Sequence, residues 1–310
     1  MKWEKKGLIY NVAHFNDWAY SHVHKPSAVF ISEDRLRIYF GVRDKRNVTR
    51  TTFIDVNPAN PKEILYEHDK PVLDIGKLGA FDDSGVNVSC VLKHDNLYYM
   101  YFIGWNPSKT VSTRNAIGLA TSEDGIQFKR VFDGAVLDRT AQEPYYTGAV
   151  YVIIDEGKWK MWYTSGSEFK VINDKPEIWY HIKYAESIDG INWIRDNIFC
   201  IKPKDEFEST ARPCVIKDGE IYKMWYSYRS ISGFRSDVNS SYRIGYAESR
   251  DGLDWERMDE KVGIDISPYG WDSNMIAYPA IYQYKGKTYM LYNGNDFGAS
   301  GFGYAELMEK

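Results

Sequence analysis

The sequence predicts an all-β chain folded as a five-bladed β-propeller, and three observations predict it. The first is repetition: Ile117-Gly-Leu-Ala-Thr-Ser-Glu-Asp-Gly-Ile-Gln-Phe128, Ile182-Lys-Tyr-Ala-Glu-Ser-Ile-Asp-Gly-Ile-Asn-Trp193 and Ile244-Gly-Tyr-Ala-Glu-Ser-Arg-Asp-Gly-Leu-Asp-Trp255 are near-copies. Each reads as a short strand, an Asp-Gly hairpin turn and a second strand opening on an aromatic ring. The second is a register of aromatic strands, Tyr39-Phe40, Tyr101-Phe102, Trp162-Tyr163, Trp225-Tyr226 and Leu291-Tyr292, whose second members (40, 102, 163, 226, 292) are spaced by 62, 61, 63 and 66 residues. The third is an apolar strand residue eleven positions before each register point: Val29, Val91, Val152, Val215 and Ile281.

Every unit is therefore an inner strand, a middle strand rich in Tyr and Trp, and a third strand, with a fourth after the Asp-Gly turn in three units. Such a unit buries its sheet faces only against its neighbours, so five of them stacked about an axis form the stable arrangement. The last unit stops after its third strand, Gly301-Phe-Gly-Tyr-Ala-Glu-Leu307, while Gly7-Leu-Ile-Tyr-Asn-Val12 is a strand without a partner in the first unit. The N-terminal strand is expected to close the ring as the missing outer strand and so remove an open edge.

The repeat runs nearly end to end through 310 residues without a Gly/Ser-rich or Pro-rich linker, so residues 1–310 read as a single domain. Aromatic residues make up 16% of the chain, which suits wide pleated surfaces and a sugar-binding pocket alike. A formal charge of −4 with no basic tract removes the electrostatic case for nucleic acid or anionic membrane. Neither a secretory leader nor an apolar run long enough to span a bilayer is legible, and a cytoplasmic location is expected. Cys90, Cys200 and Cys214 lack metal or redox spacing and read as buried small hydrophobes. No metal site and no cofactor are expected.

A propeller gathers its inner strands about the axis, so the segments that enter them converge on one end of the central channel. Nine residues before the inner-strand register points stand Asp82, Glu143, Glu206 and Asp272, with Asp83 and Glu208 beside them. Acids before strands are ordinary turn formers. Here they recur in four blades within unlike sequences, which is consistent with a shared pocket. Blade one offers Tyr20 at that position, with Asp17, His22 and His24 nearby. The loops after the middle strands contribute Arg43, Trp105, Arg229 and Asn295, and the inner-strand entrances of blades four and five contribute Arg212, Trp271 and Tyr278. Indole and phenol rings stack on sugar faces, while amides and guanidinium groups satisfy hydroxyls or an anion.

At these positions the chain resembles the five-bladed propeller glycosidases of glycoside hydrolase families 43, 32 and 130, which include arabinanases, β-xylosidases, invertases, levansucrases and mannoside phosphorylases. The resemblance covers almost the whole length and rests on the blade count, the Trp-Tyr middle strands and the Tyr-Ala-Glu-Ser-x-Asp-Gly-x-x-Trp units at 184–193 and 246–255. It implies one carboxylate as nucleophile or base, an orienting Asp and a Glu acid. Asp83 of Asp-Asp-Ser-Gly-Val, Glu143 of Gln-Glu-Pro and Glu208 before Ala-Arg-Pro match those roles. Blade one departs from the pattern: Ser21-His-Val-His-Lys-Pro26 has no first-blade Asp, and Asp17 is the substitute at hand. The Ser-x-Asp-Gly-x-x-Trp units are also close to the Asp box of sialidases and are assigned to structure.

The resemblance implies a glycoside-active enzyme working on a small carbohydrate through paired carboxylates, with Glu143 or Glu208 as acid and Asp83 as base. Two alternatives stand beside it. Arg43, Arg212, Arg229, His22 and His24 are suited to an anion site, which would serve a phosphorylase or a sugar that is acidic or phosphorylated. A carbohydrate-binding propeller without catalysis is the other, and it is the one favoured if the pocket carboxylates are all neutralised by tight salt bridges. Oligomeric state is not legible in the sequence.

Overall fold

A computed structural model describes residues 1–12 and 17–309 and gives the five blades in sequence order. The chain begins with β1 (Lys2–Tyr10) and then builds blade one from β2 (Ser21–Ser32), β3 (Arg35–Arg43), β4 (Thr49–Asn57) and β5 (Asn60–Glu67). Blade two contains β6 (Val86–His94), β7 (Leu97–Pro107), β8 (Thr113–Ser122) and β9 (Lys129–Arg130). Blade three has three strands, β10 (Thr147–Asp155), β11 (Lys158–Ile172) and β12 (Lys175–Ser187), and in place of the fourth strand expected after its Asp-Gly turn only the isolated bridges Glu186–Ile194 and Lys183–Phe199. Blade four contains β13 (Glu208–Asp218), β14 (Ile221–Ser230), β15 (Arg243–Ser249) and β16 (Glu256–Arg257). Blade five is β17 (Ala277–Tyr284), β18 (Lys287–Asn293) and β19 (Phe302–Glu309), completed by β1 in the order β1-β19-β18-β17. The N-terminal strand thus closes the ring, pairing Trp3 with Leu307 and Leu8 with Gly303. It begins five residues earlier than its apolar run suggests, because Lys2–Lys6 extend the ladder with charged residues on an outer strand. Blade one carries a fourth strand that the box repeat does not announce: β5 follows a turn in which Asn57 Oδ1 accepts from the Ala59 amide.

The core is divided into wedges between successive blades. Phe53, Val88, Met100 and Phe102 fill the seam of blades one and two, and Tyr101, Val150, Met161 and Tyr163 that of blades two and three. Trp162, Met224 and Tyr226 pack between blades three and four, Trp3, Trp225 and Met290 between four and five, and Phe40, Leu291 and Phe302 between five and one. Each repeated box locks one of these seams. In the second box Ser187 Oγ accepts from the Gly190 amide and Asp189 Oδ1 from the amides of Ile191 and Asn192, which holds Gly190 at φ 72°. The freed Gly190 carbonyl accepts from Tyr101 Oη of the preceding blade at 2.7 Å. Tyr39 donates in the same way to Gly125, and Trp162 Nε1 to Gly252 at 2.8 Å. In blades one to three the first member of the aromatic pair is therefore the lock for the next blade's turn.

Inner strands of neighbouring blades do not share a ladder, so their backbone groups need other partners. Small side chains supply them. Ser27 Oγ accepts from Val91 N, Ser89 Oγ from Val150 N, Cys90 Sγ from Val152 N and Cys214 Sγ from Ile281 N, and each of these bonds crosses a blade boundary. The three cysteines are free and buried. Among the described residues no helix is long and apolar enough to cross a membrane.

Two stability outcomes follow from the closure. Trp3→Ala removes a ring that meets Trp225 edge-on at 6.2 Å and should cost about 3 kcal/mol in urea unfolding. Deletion of residues 1–10 should expose the β19 edge and give self-association by size-exclusion chromatography, whereas a monomer with unchanged melting would show that closure by β1 is dispensable.

Candidate functional site

The entrance carboxylates point outward along their blades. Asp82 accepts from Arg130 of β9, Glu143 is paired with Lys183 at 3.1 Å and Arg195 at 2.9 Å, Glu208 receives both terminal nitrogens of Arg257 of β16, and Asp272 meets Lys5 of β1 at 2.8 Å. Each of these bases belongs to the third strand of the same blade or to its outer segment. Middle-strand tyrosines complete two of the cages, Tyr163 on Glu143 and Tyr292 on Asp272. In blade four the function falls to Glu208; Glu206, at the counted position, is exposed. The recurrent acid is thus a latch that fastens the loop entering each blade to that blade's outer strand.

This geometry redirects several sequence expectations. Burial opposes ionisation of Glu143, yet Lys183, Ser165 and Tyr163 outweigh it and hold the carboxyl below its ordinary value of 4.5, the opposite of what a proton donor requires. Asp82 is raised by burial against the pull of Arg130, but its unpartnered Oδ1 abuts Gly76 in the latch loop. Among the described residues Asp83 has no ion pair; its oxygens accept from Gly79 N and Ser84 Oγ. Trp271 stacks on Tyr292 at 5.1 Å, so Trp271 and Asp272 belong to the face of blade five and do not turn to the axis. Asn295 is spent on its own loop, accepting from the amides of Asn274 and Met275 and donating to the Gly270 carbonyl. Trp105 lies across Gly85 where β6 begins. Asp17 pairs with Lys45 on the surface with its side chain 92% exposed.

The axis itself is lined by cations, imidazoles and phenols. Arg212 reaches from blade four across the axis and donates to the carbonyls of Pro26, Ser89 and Val150 on blades one, two and three. At the mouth, Arg43 Nη1 lies 3.4 Å from His22 Nε2, and His24 Nδ1 lies 3.1 Å from Asn87 Nδ2. Lys25 Nζ stands over the Tyr278 ring at 5.6 Å, and Tyr278 meets Tyr242 at 5.7 Å. Tyr242 and Tyr180 share a hydrogen bond, and Arg229 Nε donates to both hydroxyls while its guanidinium stacks on Phe234 at 3.5 Å. Among the described residues, none of Lys25, Arg43, Arg212 and Arg229 has a carboxylate within ion-pair distance. His22 is pushed down to about 4 by burial and Arg43, and His24 well below its usual range by burial, so both rings are neutral at pH 7. Among the described residues no group of three His, Cys, Asp or Glu side chains is placed to hold a metal ion.

Of the sequence candidates, the axis thus unites His22, His24, Arg43, Arg212, Arg229 and Tyr278. Lys25, Asn87, Tyr180 and Tyr242 join them without having been singled out. A signal for Lys25 was present in the sequence. Lys25-Pro26, Arg212-Pro213 and Tyr278-Pro279 open the inner strands of blades one, four and five, and all three residues before proline adopt positive φ, at 59°, 52° and 59°. A side chain in that conformation ahead of proline is strained, and such strain gathers at functional sites.

No protein-family model matches the chain. Over 308 residues it is 36% identical to the uncharacterized proteins MT1551 and Rv1502 of two Mycobacterium tuberculosis strains, covering 99% of this chain and 99% of each of them. A 1,2-beta-oligomannan phosphorylase of a Thermoanaerobacter species is 29% identical over 142 residues, 43% of this chain and 44% of the enzyme. Among solved structures, a thermostable family-43 glycoside hydrolase superposes with a TM-score of 0.66 at 16% identity, covering 96% of this chain and 90% of the other. A member of the family-130 mannoside phosphorylases, which contains hydrolases targeting β-1,2-mannosidic linkages in Candida mannan, superposes with a TM-score of 0.68 at 15% identity, covering 98% and 93%.

The latch can be read by titration. A carboxyl whose folded pKa is depressed stabilises the fold above its unfolded value and loses that contribution as pH falls through the folded value. Glu143→Gln should therefore cost about 3 kcal/mol at pH 7, where it strands buried Lys183, and the difference from the wild type should shrink below pH 4.5 in urea midpoints. A difference independent of pH would remove the ionic latch from the account.

Proposed function

The chain belongs to one family with the mycobacterial proteins Rv1502 and MT1551, its fold is that of the five-bladed β-propeller glycoside hydrolases and phosphorylases, and from this we propose that it is a glycoside-active enzyme that holds an anion in its axial funnel. The observation that carries the proposal is a partition of charge. Arg43 and Lys25 line the mouth and Arg212 crosses beneath them without a carboxylate, while Asp82, Glu143, Glu208 and Asp272 are each committed to a cation elsewhere. Cations held partly out of water without counter-charge bear a desolvation cost that an incoming anion offsets, and guanidinium and ammonium groups together bind phosphate or carboxylate through charge-assisted hydrogen bonds.

The reaction this arrangement suits is glycosyl transfer to phosphate. An oxygen of bound phosphate attacks the anomeric carbon, so no carboxylate has to activate water. The Thermoanaerobacter relative is a phosphorylase, which is in line with that reading. Tyr180, Tyr242 and Tyr278 form the aromatic wall against which a sugar ring would lie. A hydrolytic version would leave Asp83 as base, since unlike Asp82, Glu143, Glu208 and Asp272 it carries no ion pair among the described residues. Glu143 and Glu208 enter either version as the groups that fix the loops. The reading carries a cytoplasmic location with it, because sugar phosphates are held inside cells. The pairing of the other entrance acids favours one competing reading, a propeller that binds an anionic sugar without turning it over.

Incubation with a panel of β-mannosides and other short glycosides, with and without phosphate, separates these readings. Phosphate-dependent consumption with release of a sugar 1-phosphate is expected, and Arg43→Met should raise the phosphate KM by about 10-fold or more. Turnover in water alone would select the hydrolase. Binding without turnover across the panel would select the carbohydrate-binding protein.

A further inference from the structure

A glycosidic bond leaves readily only if its oxygen receives a proton, and the carboxylates matched by resemblance to the acid role are pinned as ionised partners of Lys183, Arg195 and Arg257. We infer that Lys25, the residue standing before Pro26 where blade one has no acid, is the proton donor to the departing oxygen, an inference that rests on the anion-holding, glycoside-active reading above.

The geometry is specific to this lysine. Lys25 interrupts β2 with φ 59°, and the register slips on both sides of His24. The strained backbone is held from across the ring seam: Asn293 of β18, fully buried, accepts from the Lys25 amide at 2.8 Å and donates to the carbonyls of Val23 at 2.6 Å and Gly301 at 2.9 Å. A conformation that costs energy and is braced by a buried amide from another blade preorganises the side chain above it. Lys25 is half-buried, its ammonium stands over Tyr278, and it has no ion pair among the described residues.

The groups facing it come from four blades. Arg43 of β3 and Arg212 of β13 are cations, Tyr278 of β17 is a neutral phenol, Asn87 of β6 is an amide bound to His24, and His22 and His24 of β2 are neutral imidazoles. Burial first, and then the fields of Arg212 and Arg43, push the Lys25 ammonium down to about 7. An ammonium in that range is acidic enough to yield its proton at neutral pH. The imidazoles are already deprotonated there, and the phenol of Tyr278 is pushed further up by burial, which makes it a poor acid. Phosphate arriving beside Arg43 adds negative charge and keeps Lys25 protonated until the bond breaks.

The step balances. An oxygen of hydrogenphosphate gives an electron pair to C1 of the sugar, the C1–O bond breaks with its pair passing to the glycosidic oxygen, and that oxygen takes the proton from Lys25 Nζ. The proton left on the new phosphate ester returns to the neutral amine, which restores the ammonium.

The test compares wild type, Lys25→Met and Lys25→Arg on nitrophenyl and alkyl glycosides of the same sugar in sodium phosphate. A nitrophenolate leaves without a proton and an alkoxide does not. Both variants should lose alkyl-glycoside turnover by about 100-fold or more while nitrophenyl turnover falls less than about 10-fold. The wild-type kcat/KM for the alkyl glycoside should decline as pH rises through about 7, and isotope-edited NMR of reductively methylated lysines should show one lysine titrating there, absent from both variants. Equal losses on the two substrates, or a Lys25 resonance titrating above pH 9, would overturn the assignment while leaving the glycoside-active reading intact. A wild type inactive on every glycoside would overturn that reading, and with it the role of Lys25.

Discussion

A buried carboxylate keeps its charge only if a cation meets it, and in this propeller Asp82, Glu143, Glu208 and Asp272 each find that cation on their own blade, toward the outer edge. The pairing is worth more as a constraint than as raw stability, because an ion pair out of water roughly repays its own desolvation. What it fixes is direction. The loop that crosses from one blade to the next is drawn over the face of the sheet it enters, the acid is turned away from the axis, and the inner strands are left to meet around groups of the other sign. The cationic funnel is therefore the complement of the latches.

The centre of the ring obeys a second accounting of polar groups. Neighbouring inner strands cannot share a ladder, so serine hydroxyls and cysteine thiols bridge three of the five boundaries and Arg212 takes carbonyls from three blades at once. Backbone amides and carbonyls that would be orphaned around a channel are satisfied by side chains instead of water. The groups around the axis are thereby held by bonds to several blades, so their placement depends on ring closure as a whole and not on any one loop.

The fold was legible because its signals are local. Alternation within strands, the Ser-x-Asp-Gly turn and the paired aromatics all act within about fifteen residues, and the interval between copies of the pattern counts the blades. Even the N-terminal closing strand could be found by elimination, since blade five lacked one and Leu8-Ile9-Tyr10 had no other place. The site was legible only in part, for a physical reason. Recurrence marks Asp82, Glu143 and Asp272 as equivalent, but whether an acid faces the axis or the rim depends on its base, and the bases lie far along the chain at Arg130, Arg195 and Arg257, or at the opposite terminus for Asp272, where Lys5 completes the ring. No short window holds both partners. Lys25 was passed over because a lysine before a strand reads as surface charge, although its placement before Pro26 aligns it with Arg212 and Tyr278.

Arg229 shows why counting cations is not enough to define an anion site. Sequence position groups it with Arg43, yet its Nε serves two tyrosine hydroxyls, its Nη1 donates to the Ser230 carbonyl at 2.7 Å, and Phe234 covers its face. A guanidinium so engaged has little left to offer a ligand, and what it does instead is fix the orientation of Tyr180 and Tyr242. Because each phenol accepts from Arg229 and one of them donates to the other, one hydroxyl proton of the pair remains to be given outward. The funnel is thereby asymmetric. Blade one supplies positive charge through Lys25 and Arg43, and blades three to five supply aromatic faces and an oriented hydroxyl, so the anion and the sugar ring of the proposed ligand would meet opposite sides.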